Sequence, residues 1–203
     1  MSVTITTPSS VDNKSLVYKF NARDDKSYNQ ELHNLVLLPS SNYLLSNLTI
    51  IRDKTTSTPD LSRAFQRVAT QIIAKACDFL PVDDGPLSFG KILIQRDEET
   101  CLPALLYSKF PSDLAEQAIL ILEPILATGG SICTAIDLII SKGVPEDNII
   151  VANLITSRKA IEIVTSRYPK LRIVTAAIDE KLNAKCQLEP GVGDFGDRFY
   201  GTT

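Results

Sequence analysis

The chain has 203 residues, 44% of them hydrophobic and 22% charged, which is enough apolar material for one domain with a substantial core. Its net charge of −3 excludes a general attraction to nucleic acid or to anionic membranes, so an anionic ligand requires a local site. Four widely spaced cysteines, Cys77, Cys101, Cys133 and Cys186, form no CxxC pair, which argues against zinc or a disulfide framework and suits a reducing cytoplasmic or nuclear setting.

In chain order, residues 1–33 are rich in Ser, Thr, Asn, Asp and Lys with little periodicity, and read as a polar, flexible tail ahead of a domain spanning 34–203. Residues 1–10 have neither the basic start nor the apolar centre of a signal peptide, and no apolar run approaches the roughly 18 residues of a bilayer span. Residues 35–38 form a short apolar run closed by Pro39, and 44–51 form another. Pro59 and Asp60 mark a helix start, after which Leu61, Phe65, Val68, Ile72, Ala76 and Leu80 recur at helical spacing up to Pro81. Beyond Pro81 the pattern alternates. Strands are expected at 92–94, 119–122, 149–155 and 173–177, with helices from about Ile132 to Lys142, stopped by Gly143, and from about Lys159 to Tyr168, stopped by Pro169. This order predicts an α/β fold with right-handed crossovers and a mostly parallel sheet covered on both faces.

The richest stretch is Glu123-Pro124-Ile125-Leu126-Ala127-Thr128-Gly129-Gly130-Ser131, an apolar strand running into a glycine turn and then a helix. Glycines let the backbone approach an anion, and the free N–H groups of a helix start point at it. Gly-x-Gly-x-x-Gly and the Walker A pattern are both absent, which counts against a nucleotide-binding oxidoreductase and against a P-loop. A glycine pair at a strand-to-helix turn is also explained by sterics alone. Glu123 weighs against that plainer reading, because a carboxylate closing an apolar strand is costly unless it binds something, such as ribose hydroxyls. Thr128, Ser131 and Thr134 add hydroxyl groups.

Residues 123–131, EPILATGGS, resemble the phosphoribosyl-diphosphate loop of the uracil phosphoribosyltransferases, whose usual form is DPMLATGGS. The C-terminal GVGDFGDRFYGT is similar to that family's uracil-binding tail, and KILIQRDEET at 91–100 to its arginine-bearing segment. Stretches at 37–39, 49–52 and 173–179 agree with its eukaryotic, fungal-like branch. The resemblance covers roughly 34–203 and implies a type I phosphoribosyltransferase-like fold. The implied reaction joins uracil to phosphoribosyl diphosphate, with Mg²⁺, giving UMP and diphosphate in pyrimidine salvage. Carried over by residue, Glu123, Pro124, Ile125, Leu126, Ala127, Thr128, Gly129, Gly130 and Ser131 would bind phosphoribosyl diphosphate, Glu123 through its ribose hydroxyls and Ala127 to Ser131 through its 5′-phosphate, with Arg96 and Asp194 also in contact with it. Arg96 would face the diphosphate. Leu188, Gly193, Asp194 and Phe195 would frame uracil, with Asp194 also near the reacting centre. The family further implies a homo-oligomer, a GTP effector in some members, and a cytoplasmic or also nuclear location.

Each role has a plainer rival. Arg96 sits in a charged segment that suits a solvated loop, Asp194 and Asp197 could accept hydrogen bonds in tight turns, and Phe195, Phe199 and Tyr200 could be core. His33, the single histidine, receives no role. Cys133 could have a depressed pKa at the helix start or be buried beneath the helix. The chain also departs from the family. Between Leu80-Pro81-Val82 and Phe89-Gly90-Lys91 it carries only residues 83–88, where the family places a central strand and a diphosphate loop of the Ile-x-Arg-Ala-Gly type. Glu123 stands for the usual aspartate, and Gln187 and Glu189 flank Leu188 in place of aromatic and apolar residues. The sheet is therefore expected to be rearranged or completed by a partner, unless the recorded sequence omits residues. The alternative function is an impaired homologue that binds a nucleotide or phosphoribosyl ligand as a regulator or partner subunit.

Overall fold

The computed structural model describes residues 2–6, 34–81, 87–97 and 102–202. Nine strands and five helices alternate along them: β1 (Ser2–Thr6), β2 (Leu35–Leu37), α1 (Asn42–Arg52), α2 (Thr58–Cys77), β3 (Ser88–Arg96), β4 (Pro103–Lys109), β5 (Ala118–Leu126), α3 (Gly130–Ser141), β6 (Ile149–Ser157), α4 (Arg158–Arg167), β7 (Arg172–Asp179), β8 (Lys181–Leu182), β9 (Leu188–Glu189) and α5 (Phe195–Tyr200). Seven strands make one sheet in the order β2-β7-β6-β5-β1-β3-β4, and β8 and β9 form a separate antiparallel pair.

The expected βαβαβ unit is present. β5, β6, β7 and β2 are mutually parallel, with Ile121 opposite Val151 and Val151 opposite Ile173. Successive strand residues face opposite ways, and here both faces are apolar. Ile119 and Ile121 join Ile132, Ile136, Ile139, Ile161 and Val164 in a core beneath α3 and α4. Leu120 joins Leu44, Leu48, Ile51, Val68, Ile72 and Ile150 in a second core beneath α1 and α2. At about 1.5–3 kcal/mol for each fully buried large side chain, these two layers supply most of the drive to fold. Serine side chains set the helix starts: Ser41 accepts from the N–H of Leu44, Ser57 from that of Asp60 and Ser157 from that of Ala160. The 44–51 run is thus helical, its apolar residues on one face of α1.

The sheet is rearranged where the chain is short. β1 lies between β5 and β3, antiparallel to both, with Val3 opposite Ile121 on one side and Gly90 on the other. Residues 2–6, at the start of the segment read as a polar tail, are thus ordered against the body as a strand of the sheet. Residues 1 and 7–33, His33 among them, lie outside the described residues. Two alternating apolar positions in a five-residue strand are too few to read without knowing its partners. The parallel strands are covered on both faces as expected, whereas the antiparallel β3–β4 pair at the other edge is open, with Phe89, Leu93, Leu105, Leu106 and Tyr107 all exposed there. Among the described residues no helix is long and apolar enough to cross a membrane.

Candidate functional site

The Glu123–Ser131 segment sits at the carboxyl end of β5, where parallel sheets bind their ligands. β5 continues three residues beyond Glu123, so the carboxylate stands within the strand and not at its end. Pro124 has no N–H to give the ladder, and pairing with β6 passes from Glu123–Asn153 directly to Ile125–Ile155. The buried Asn153 covers that interruption: its side-chain N–H groups reach the carbonyls of Glu123, Pro124 and Ile155 at 3.0, 3.1 and 3.2 Å. Its oxygen accepts from the Thr175 hydroxyl at 2.8 Å.

After Ala127 the chain turns through Gly129, whose φ of +82° lies in the left-handed region, and Gly129 is the residue that caps α3. A glycine cap has no side chain to accept from the first N–H groups of the helix, and the first turn holds no acidic residue. Both features suit an anion drawn to a positive helix end. The Thr128 hydroxyl lies 3.4 Å from the Gly130 nitrogen, while Thr134 donates back to the Gly130 carbonyl at 3.1 Å. The buried Ser157 fixes the turn from outside, donating to the Ala127 carbonyl while accepting from the Ala160 N–H at 2.8 Å. Glu123, Ile125, Ala127, Gly129 and Ser131 line a shallow concavity.

Arg96 is the last residue of β3 and pairs with Pro103. The Pro103 ring lies 3.5 Å from where a Cβ on Gly130 would stand, so the backbone opposite Arg96 abuts the glycine turn. The Arg96 side chain lies outside the described residues.

The C-terminal tail reaches the same end of the sheet. Leu188 and Val192 are buried in the core that also contains Ala127, with Ile125 and Phe195 packed against it. Gly191 and Gly193 both have positive φ, and Asp194 caps α5, accepting from the Asp197 N–H at 3.0 Å. The turn role expected of Asp194 as a rival is therefore real, yet it occupies one oxygen of an exposed carboxylate. Phe195 packs against Phe65 and Phe199 at ring separations of 5.1 and 5.4 Å. Tyr200 is 77% exposed, which corrects its reading as core. Cys133 is buried, and that burial pushes its thiol up from the ordinary range, against the idea of an activated thiolate.

Asn153 and Ser157 were missed by sequence reasoning, and Arg52, Asp179 and Arg198 were noticed only as parts of matching stretches. A polar residue within the apolar 149–155 run, and a serine two residues ahead of an expected helix, were the signals available for the first two.

The family model described as uracil phosphoribosyltransferase matches residues 84–202. The chain belongs to that family. It is 38% identical to the uracil phosphoribosyltransferase of Lachancea kluyveri, over 82% of this chain and 96% of that protein. It is 37% identical to that of Saccharomyces cerevisiae over the same shares. A Dictyostelium discoideum uracil phosphoribosyltransferase is 48% identical over 57% of this chain and 54% of its own length. Since 82% of 203 residues is about 166, about 40 of the 207 positions aligned with the Lachancea protein have no counterpart here, in keeping with the shortened 83–88 region. Among solved structures, the AQ2163 protein of Aquifex aeolicus superposes with a TM-score of 0.71 at 19% identity, over 83% of this chain and 99% of that one, a likeness of fold.

Proposed function

We propose that this protein transfers the phosphoribosyl group of phosphoribosyl diphosphate to uracil, forming UMP and diphosphate in pyrimidine salvage. The observation that carries the reading is the left-handed Gly129 turn delivering an α-helix start, with Glu123 upstream in the same strand, in a member of this family. The N–H groups of 129–131 hold the 5′-phosphate, and Glu123 accepts from ribose hydroxyls. Pro124, Ile125 and Leu126 are the strand that delivers the loop. Leu188, Gly193 and Phe195 present backbone groups and an aromatic wall to the flat base. The second oxygen of Asp194 faces the reacting centre, where a carboxylate stabilises positive charge developing at the ribose carbon. Arg96 supplies positive charge to the departing diphosphate.

Among the described residues, no three His, Cys, Asp or Glu gather into a metal site. Mg²⁺ is proposed from family membership, as a companion of the phosphoribosyl diphosphate substrate. A GTP effector and a cytoplasmic or nuclear location are proposed from family membership, as is the extent of the catalytic domain over 34–203. Homo-oligomerisation is proposed on the further ground of the apolar side chains exposed on β3 and β4.

The direct test supplies labelled uracil, phosphoribosyl diphosphate and Mg²⁺ to purified protein and measures UMP. Ligand binding with no UMP above background would leave the non-catalytic regulator or partner subunit as the reading. Asp194→Asn is expected to lower kcat by at least about 100-fold, the range for loss of one transition-state stabiliser. Asparagine caps helices as well as aspartate does, so the thermal midpoint should hold; unchanged turnover would remove Asp194 from the reaction. Gly129→Val places a branched side chain in the left-handed region, at a cost of about 1–2 kcal/mol. The KM for phosphoribosyl diphosphate should rise at least about tenfold, equivalent to about 1.4 kcal/mol, with little change for uracil.

A further inference from the structure

The tail that carries Gly193 and Asp194 does not hold itself in place. Asp179 ends β7 and is only 3% exposed. Both of its oxygens are gripped by the guanidinium of Arg52, the last residue of α1, at 2.6 and 2.9 Å. Between them this pair engages both backbone groups of Gly191. The Gly191 N–H donates to Asp179 at 3.0 Å, and its carbonyl accepts from Arg52 at 3.2 Å. One residue later, the Val192 carbonyl accepts from Arg198 at 2.6 Å, and the same guanidinium donates to the carbonyls of Ile51 and Asp53 at 2.7 and 2.6 Å. Two guanidiniums thus fasten the tail to the C-terminal end of α1 and to the end of β7, immediately ahead of the turn at Gly193.

We infer that Arg52 and Asp179 are positioning residues for the nucleobase side of the site: they set where the Gly193–Phe195 segment stands, and touch no substrate. The inference rests on the transferase reading for its kinetic consequence, but the anchoring itself does not. A planar fork on a carboxylate fixes distance and angle together, and lysine keeps the charge without the fork. Displacements of about 1 Å around a reacting group can cost about 100-fold in rate, so fixing this segment matters more than the charge pair alone. The glycine turn at 129–131 is fixed separately by Ser157, which predicts that the two substrates respond differently.

The test uses the full chain with Arg52→Lys, Asp179→Asn and the double variant. In each, KM for uracil should rise at least tenfold while KM for phosphoribosyl diphosphate stays within twofold, and the double variant should be no worse than the poorer single one, as for two parts of one unit. Amide hydrogen exchange gives a readout independent of turnover. Segment 188–195 should exchange at least tenfold faster in Asp179→Asn, with β6 still protected. Equal increases in both KM values, additive effects, or faster exchange spread evenly through β6 and the tail would reduce the pair to a general structural contact and overturn the inference. If the unaltered protein makes no UMP, the transferase reading fails by itself, and exchange in 188–195 still decides the anchoring: selective loss of protection upholds it, and unchanged protection overturns it.

Discussion

Gly191→Ala is expected to be the most damaging single-methyl substitution in the tail, lowering the thermal midpoint by about 5–10 °C and the rate of UMP formation at low uracil by at least about 100-fold. A Cβ on Gly191 would stand 1.9 Å from the Leu188 carbonyl oxygen and 2.6 Å from its carbon. Those are backbone atoms of a strand pinned in a core, not the far end of a side chain that could swing away. The φ of +55° adds the left-handed penalty of about 1–2 kcal/mol. Relief requires moving the backbone of 188–192, which breaks the bonds from Gly191 to Asp179 and Arg52. Gly193→Ala provides the comparison. Its φ is +75°, but the nearest atom to an added Cβ is the Arg198 Cδ at 3.7 Å, so the conformational penalty stands alone. Thermal unfolding of the two variants side by side checks the argument. Equal midpoints would mean that the clash at Leu188 is relieved cheaply, and that the tail is looser than its hydrogen bonds indicate.

What could be read from the residues alone follows from the range of the interactions involved. The β5–α3–β6–α4–β7 unit was legible because continuous apolar runs at 119–122, 149–155 and 173–177 alternate with helical patterns closed by Gly143 and Pro169, all local signals. The anion turn was legible for the same reason, since Gly129 and Gly130 stand beside their strand and their helix. β1 was not, because Ser2–Thr6 acquires its meaning only from neighbours more than eighty residues away. β4 was missed because its apolar side chains face outward, so no periodicity distinguishes it from a loop. Arg52, Asp179 and Arg198 look like ordinary surface charges in sequence. Each has a partner more than a hundred residues distant, Arg52 and Asp179 in one another and Arg198 in the carbonyls of Ile51 and Asp53, and composition carries no trace of such contacts. The most legible residues are thus those proposed to contact ligand, and the least legible are those that hold them still.

Asn153→Leu tests that division from the phosphate side. The substitution keeps the branch point and the number of side-chain heavy atoms, adds the bulk of two methyl groups and removes every side-chain hydrogen bond. The carbonyls of Glu123, Pro124 and Ile155 lose a shared donor, and the Thr175 hydroxyl loses one of its two acceptors, keeping the Ala177 carbonyl at 3.2 Å. A buried polar group left without its partner costs about 1–3 kcal/mol. Two or three such groups, partly offset by the apolar surface that leucine buries, give a net loss of about 3 kcal/mol, a large share of the roughly 5–15 kcal/mol that holds a typical domain together. The damage lies where β5 and β6 have already given up one ladder position to Pro124, so β5 should loosen just ahead of the anion turn. The expected result in urea unfolding is a midpoint lowered with the slope unchanged, the mark of lost stability without a new unfolded state. Kinetically, KM for phosphoribosyl diphosphate should rise more than KM for uracil, the reverse of the pattern at Arg52 and Asp179. If Asn153→Leu instead raised both KM values alike, the two halves of the site would be one mechanical unit, and the separate anchoring of loop and tail would be wrong.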